Sequence, residues 1–133
     1  MLHSELTDKI IRAFYKVYNT LGYGFMEKVY ENALIIELQK MGLNIIQQQK
    51  LKVYYDSQIV GEYFTDIIVN DLVIIELKAA ESISNEHKNQ LINYLKATEI
   101  EVGLLLNFGK IPEFKRVIFT NDRKKSLTLR QKQ

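Results

Sequence analysis

Cysteine and tryptophan are absent from the 133 residues, and proline occurs once. Without cysteine there are no disulfides and no thiolate metal sites, which accords with a reducing, cytoplasmic compartment. No apolar run approaches the ~18–20 residues that span a bilayer. The start, MLHSELTDKI, lacks the basic-then-apolar order of a signal peptide, so no membrane association is expected. An excess of charge of one sign is missing too: 18 basic against 16 acidic residues leave a formal +2. Net charge therefore makes no case for a polyanion partner.

What is present is an ordinary globular mixture, 47% apolar and 26% charged. The length suits one domain with a real core and is too short for two. That domain is taken to span residues 1–133, with 121–133 as a basic tail. After Asp122 come Arg123, Lys124, Lys125, Arg130 and Lys132, and no acid. Such a tail can lie against phosphates or fray into solvent.

Leu6, Ile10, Phe14, Val17 and Leu21 recur at helical spacing, predicting a helix over residues 4–21 with Ser4 as N-cap. Gly22 and Gly24 break it. A second helix follows over 26–41, with Val29, Ala33 and Ile36 joining Leu34 and Leu38 in a broad apolar face, and Gly42 as its stop. The polar alternation of residues 44–55 suits a half-exposed edge strand. Residues 58–70 return as one strand bent at Gly61, and 72–79 form the most apolar strand, placed centrally. Residues 84–98 read as a third helix capped by Ser84, with Leu91, Tyr94 and Leu95 inward. Residues 102–108 form a buried strand after a crossover, and 115–120 a last edge strand. The order ααβββαββ predicts an α/β fold, a mixed β-sheet flanked by helices.

Charge inside an apolar strand is costly. Residues 66–78, DIIVNDLVIIELK, carry Asp66 at the end of one apolar run and Glu76 and Lys78 within the next. Residues two apart share a face, so Glu76 and Lys78 point one way with Ile74, and Val73, Ile75 and Leu77 the other. A two-residue turn at Asn70-Asp71 would pair Asp66 with Ile75 and separate the acids. A three-residue loop at 70–72, or an equivalent bulge, pairs Asp66 with Glu76 and gathers all three charges; this is the expected geometry. Opposed carboxylates repel unless a cation lies between them. A hard dication suits such a pair, since Mg²⁺ takes one or two carboxylates and completes its shell with water and phosphate. The chemistry expected is phosphodiester hydrolysis with Mg²⁺, for which Mn²⁺ can substitute. Lys78 would position or deprotonate the attacking water, or stabilise the pentavalent phosphorus.

Asp66 followed by Glu76-Leu77-Lys78 resembles the D…ExK signature of the PD-(D/E)XK nuclease superfamily, with Thr65 where a proline usually stands. Residues 24–30, GFMEKVY, spell GxxExxY and resemble the small family of that name within the superfamily. Gln90 and Tyr94 match the QxxxY found in the helix after the ExK strand of recombination-type nucleases. The stretches GYGFMEKVYENAL, VIIELKA, HKNQLINYLKAT and GLLLNFG occur in the family's order, so the resemblance runs from Leu21 to about Phe119. It implies a restriction-endonuclease-like fold and nucleic acid as substrate, DNA ahead of RNA. Asp66 and Glu76 would be metal ligands with the Leu77 backbone carbonyl, and Lys78 the catalytic lysine. Glu27 would reach in from the second helix as a further ligand or water-holder. Gln90 and Tyr94 would line the site and contact phosphate or the lysine; their spacing puts both on one helix face, with His87 a turn earlier.

Plainer roles exist for several of these residues. Glu27 can complement a helix N-terminus, Gln90 and His87 can be helix-surface residues, and Tyr30 can be core. Tyr15, Tyr18, Tyr23, Tyr54, Tyr55 and Tyr63 are expected to pack half-buried rather than stack on bases. The alternative function is a non-cleaving module that grips nucleic acid or protein on the same fold. With no separate recognition domain, a nuclease core would draw specificity from a homodimer or a larger protein system.

Overall fold

The most apolar run becomes the middle strand of a five-stranded sheet. In the computed structural model, which describes residues 1–124, the elements run α1 (Ser4–Leu21), α2 (Glu27–Lys40), β1 (Ile45–Gln47), β2 (Lys50–Tyr55), β3 (Gln58–Phe64), β4 (Ile67–Val69), β5 (Val73–Lys78), α3 (Asn85–Lys96), β6 (Val102–Asn107) and β7 (Glu113–Ile118). A 3₁₀ turn follows at Asn121–Lys124. The sheet order is β1-β4-β5-β6-β7. Among the described residues only β5 and β6 pair in parallel, and α3 makes the crossover that a parallel pair requires.

The two faces of the sheet take different partners because side chains alternate. Ile67, Val69, Val73, Ile75, Leu77, Leu104, Leu106 and Phe108 pack against Ile10, Phe14, Tyr30, Leu34 and Leu38 of α1 and α2. Ile68, Ile74 and Leu105 pack against Leu91, Tyr94 and Leu95 of α3. Each such buried side chain contributes about 1.5–3 kcal/mol, so this layering is the main stabilisation. Among the described residues, no helix is long and apolar enough to cross a membrane.

The helices and strands follow the expected order, with the first two strands each divided in two. Residues 44–55 break at Gln48, whose φ of +56° lies in the left-handed region. The partner strand breaks at residues 65–66. As a result β1 and β4 stay in the main sheet while β2 and β3 form a separate two-stranded ribbon. The bend foreseen at Gly61 is a bulge: Val53 pairs with Gly61 and Tyr54 with Ile59, leaving Val60 extra.

Three further differences have local causes. Helix α1 begins at Ser4 without a side-chain cap, His3 being the cap residue and its carbonyl accepting from the Thr7 amide. The buried stripe of α2 is Tyr30, Glu31, Leu34 and Leu38, whereas Val29 and Ile36 are exposed. Tyr30, Leu34 and Leu38 are the i, i+4, i+8 row that faces the sheet. Lys124 does not project as part of a solvated tail; it is buried, with Nζ donating to the carbonyls of Thr98 and Ile100 at 3.1 and 2.6 Å. The rest of the expected tail, with Lys125, Arg130 and Lys132, lies outside the described residues.

Candidate active site

The hairpin between β4 and β5 sets the site. Asn70 and Asp71 both take left-handed backbone, φ +52° and +55°, and the Leu72 amide closes the turn onto the Val69 carbonyl at 2.9 Å. Asn and Asp tolerate that conformation better than other residues with a Cβ. Val69 nevertheless pairs with Val73, so Leu72 is an extra residue and the loop spans three positions. Successive pairs then run Ile68 with Ile74 and Ile67 with Ile75. One step further sets Asp66 opposite Glu76, on the α3 face of the sheet.

Main-chain amides fix both carboxylates. The Asp66 amide donates to Glu76 Oε1 at 3.0 Å, and the Leu77 amide donates to Asp66 Oδ2 at 2.8 Å. Thr65 is fully buried, and its amide donates to the Gln49 carbonyl at 3.0 Å. A proline there would lose that bond. Glu76 is only 4% exposed. Burial first, and the facing Asp66 second, push its carboxyl up to about 9. Asp66 is also raised: burial dominates, partly opposed by the Leu77 amide, and the charges of Glu31 and Glu27 add to it. Among the described residues, no lysine or arginine lies within 4 Å of either acid. Lys78 is half-buried on the same strand face, two residues beyond Glu76.

Such a pair holds a proton or a small dication, and two facing carboxylates, Glu76 buried and Asp66 half-buried, fit the latter. Leu77 offers only its main chain, because its side chain is buried against α1 and α2. Glu27 stands exposed at the first position of α2. It acts on Asp66 through its field, and among the described residues no third carboxylate or imidazole completes a cluster with the pair.

Helix α3 brings Gln90 and Tyr94 to the same place. Ser84 caps it through its hydroxyl, and His87 completes the box with Nδ1 accepting from the Ser84 amide, a structural task for that histidine. Gln90 Nε2 donates to the Tyr94 hydroxyl at 2.9 Å. Burial first, then the charges of Glu76 and Asp66, push Tyr94 up to about 12, so it keeps its proton. The Tyr63 ring of the ribbon lies 5.5 Å from that of Tyr94. The helix approaches this closely because residue 103 is glycine: a Cβ there would stand 2.8 Å from the Leu91 side chain.

Residues that sequence reasoning passed over brace the site. The Asn107 side chain is fully buried, accepting from the Ala80 amide and donating to its carbonyl, both at 2.9 Å. It thereby fixes the chain just after Lys78; its only signal was one amide in an apolar run. Glu31 is buried on α2 and takes hydrogen bonds from Lys28, Gln47 and Gln48. Tyr30, a core candidate from the sequence, is core, and its hydroxyl also ties the glycine loop, donating to Gly22 O at 2.6 Å and accepting from the Phe25 amide at 3.2 Å.

Two solved structures share this arrangement of chain. The protein SSO0001 aligns with a TM-score of 0.57 at 19% identity, over 97% of this chain and 65% of its own. This chain thus spans less than two thirds of that protein's length. The alkaline exonuclease LHK-Exo from Laribacter hongkongensis aligns with a TM-score of 0.50 at 11% identity, over 89% of this chain and 81% of its own. At these identities the likeness speaks for the fold. No curated protein matches the sequence. The sequence model of the PD-(D/E)XK nuclease superfamily matches residues 4–117, which takes in all three helices and nearly all seven strands. With that coverage the chain belongs to the PD-(D/E)XK nuclease superfamily.

Proposed function

We propose that the protein hydrolyses phosphodiester bonds in DNA rather than RNA, with Mg²⁺ as the resident ion and Mn²⁺ able to replace it, and that it falls in the GxxExxY group. One observation carries this reading: the half-buried Asp66 carboxylate and the buried Glu76 carboxylate face each other, and among the described residues no lysine or arginine lies within 4 Å of either. Asp66, Glu76 and the Leu77 carbonyl would hold the ion. When bound, it supplies charge neutralisation and an acidified water.

The chain's own groups do the rest. Lys78 shares a strand face with Glu76, and its ammonium steadies charge developing on the phosphoryl oxygens. Tyr94, protonated and aligned by Gln90, donates to phosphate or to the lysine's surroundings. Glu27, at the exposed start of α2, holds water at the mouth of the site. In a core of this size, choice of sequence falls to a second copy or a partner protein, and the absence of cysteine suits a reducing cytoplasm.

Incubation of the pure protein with plasmid, single-stranded DNA and RNA tests the proposal. Cutting of DNA with Mg²⁺ or Mn²⁺, abolished by EDTA and by Asp66→Asn, supports it. DNA binding without cutting, together with no calorimetric signal for Mn²⁺, makes the protein a binding module instead.

A further inference from the structure

The ribbon leaves the main sheet beside an acid for which the proposed reaction has no use. Glu31 is 4% exposed, one turn after Glu27 on α2. Its Oε2 accepts from Gln47 Nε2, and Gln48 Nε2 donates to Oε1 at 3.3 Å and to Oε2 at 3.2 Å. From the solvent side Lys28 Nζ reaches Oε2 at 3.3 Å. Both oxygens are therefore engaged by this chain's own donors.

Gln48 is the residue where the strand breaks. Its φ of +56° is unfavourable for a residue with a Cβ. Its amide donates to the Asp66 carbonyl at 3.0 Å. The β1–β4 pairs run Ile45 with Val69, Ile46 with Ile68 and Gln47 with Ile67, so Gln48 stands at the next level, across from Asp66. One continuous path leads from the Glu31 carboxylate through the Gln48 side chain and left-handed backbone to the main chain of Asp66.

We infer that Glu31 is a positioning residue: by clasping the Gln48 side chain it holds residue 48 in left-handed backbone, and through the Gln48 amide it fixes the strand end that carries the Asp66 carboxylate. The clasp deepens the proposed nuclease site and rests on it for its purpose. Glu31 positions the strand end through Gln48, beside the effect of its charge on Asp66, and it hydrogen-bonds to neither Asp66 nor Glu76. Outer residues of this kind alter metal affinity about 10–100-fold when removed.

Glycine adopts φ +56° without help, which gives a rescue test. Amide hydrogen exchange is measured by NMR in the metal-free protein, and Mn²⁺ affinity by calorimetry. The series is wild type, Glu31→Ala, Gln48→Gly and the double variant. In Glu31→Ala, protection of the residue 48 amide and Mn²⁺ affinity should both fall about tenfold. In Gln48→Gly alone both should stay near wild type, and in the double variant both should return toward it. Unchanged protection in Glu31→Ala overturns the inference. Affinity that is lost in Glu31→Ala and not recovered in the double variant overturns it too, because Glu31 would then act directly on the ion. If Glu31→Ala does not fold, Glu31→Gln carries the same comparison, with the same recovery expected on adding Gln48→Gly. A wild type that binds no Mn²⁺ defeats the nuclease reading, while the exchange measurements still decide the clasp.

Discussion

Asp66 and Glu76 compete for one proton, and the sign of that competition is measurable. Glu76 in the fold sits near 9 against 4.5 in an exposed chain. Between those values the folded state keeps a proton that the unfolded state has released. Its contribution to stability is thus present at low pH and is lost as pH rises through about 9. Asp66 shifts in the same direction. In EDTA, the melting temperature should fall from pH 5 to pH 9, and Glu76→Gln should flatten the decline; a rise over that range would contradict the assignment. Lys78→Met should slow cleavage about 10²–10³-fold with little change in melting, as expected of a half-buried group that stabilises charge. Asp66, Glu76 and Lys78 were legible in the sequence because charge stands out in an apolar strand. Glu31 was not, because an acid on a helix ordinarily faces water. Only packing against β1 and the two glutamines shows that this one is buried.

At the level of elements, a single residue in a hairpin determines whether the acids meet. A two-residue turn in the intact chain would pair Val69 with Leu72 and Asp66 with Ile75 and put the two carboxylates on opposite faces, whereas deleting Leu72 shortens the loop and keeps Val69 opposite Val73 and Asp66 opposite Glu76. The Leu72 deletion should therefore retain Mn²⁺ binding by calorimetry, whereas deleting Ile75, which pairs Asp66 with Leu77 and turns Glu76 to the other face, should abolish it. Gly103→Ala should destabilise by about 1–3 kcal/mol in urea unfolding, since the new methyl meets Leu91 at 2.8 Å and drives α3 outward. The three-residue loop was inferable because, unlike a two-residue turn, it gathers Asp66, Glu76 and Lys78 on one face, as a cation site requires. The break of the long hairpin into sheet and ribbon was not. Gln48 is the middle of three consecutive glutamines with no glycine or proline to mark a turn, and the break is made by distant partners, Glu31 at its side chain and Asp66 at its amide. The inward stripe of α2 was likewise hidden, because apolar residues lie all round that helix and only the sheet selects Tyr30, Leu34 and Leu38.

Over the whole molecule, order and composition carried the fold: two helices, a hairpin with charged strands, a crossover helix and two further strands leave few ways to cover a mixed sheet. The chain's end was harder to read, since Lys124 looks like one more tail cation until Thr98 and Ile100 offer it their carbonyls. A truncation intended to probe phosphate contacts must therefore follow Lys124. Removing residues 125–133 takes away Lys125, Arg130 and Lys132. If these meet phosphates, the slope of log affinity against log salt for duplex DNA should shrink by roughly 2–3 in fluorescence anisotropy. The central claim, that Asp66 and Glu76 face each other in order to share a dication, is tested most directly by a crystal soaked in Mn²⁺. The expected result is an anomalous peak about 2.1–2.3 Å from both carboxylates and the Leu77 carbonyl. A crystal with Mn²⁺ at saturating concentration and no peak between residues 66 and 76 would contradict it.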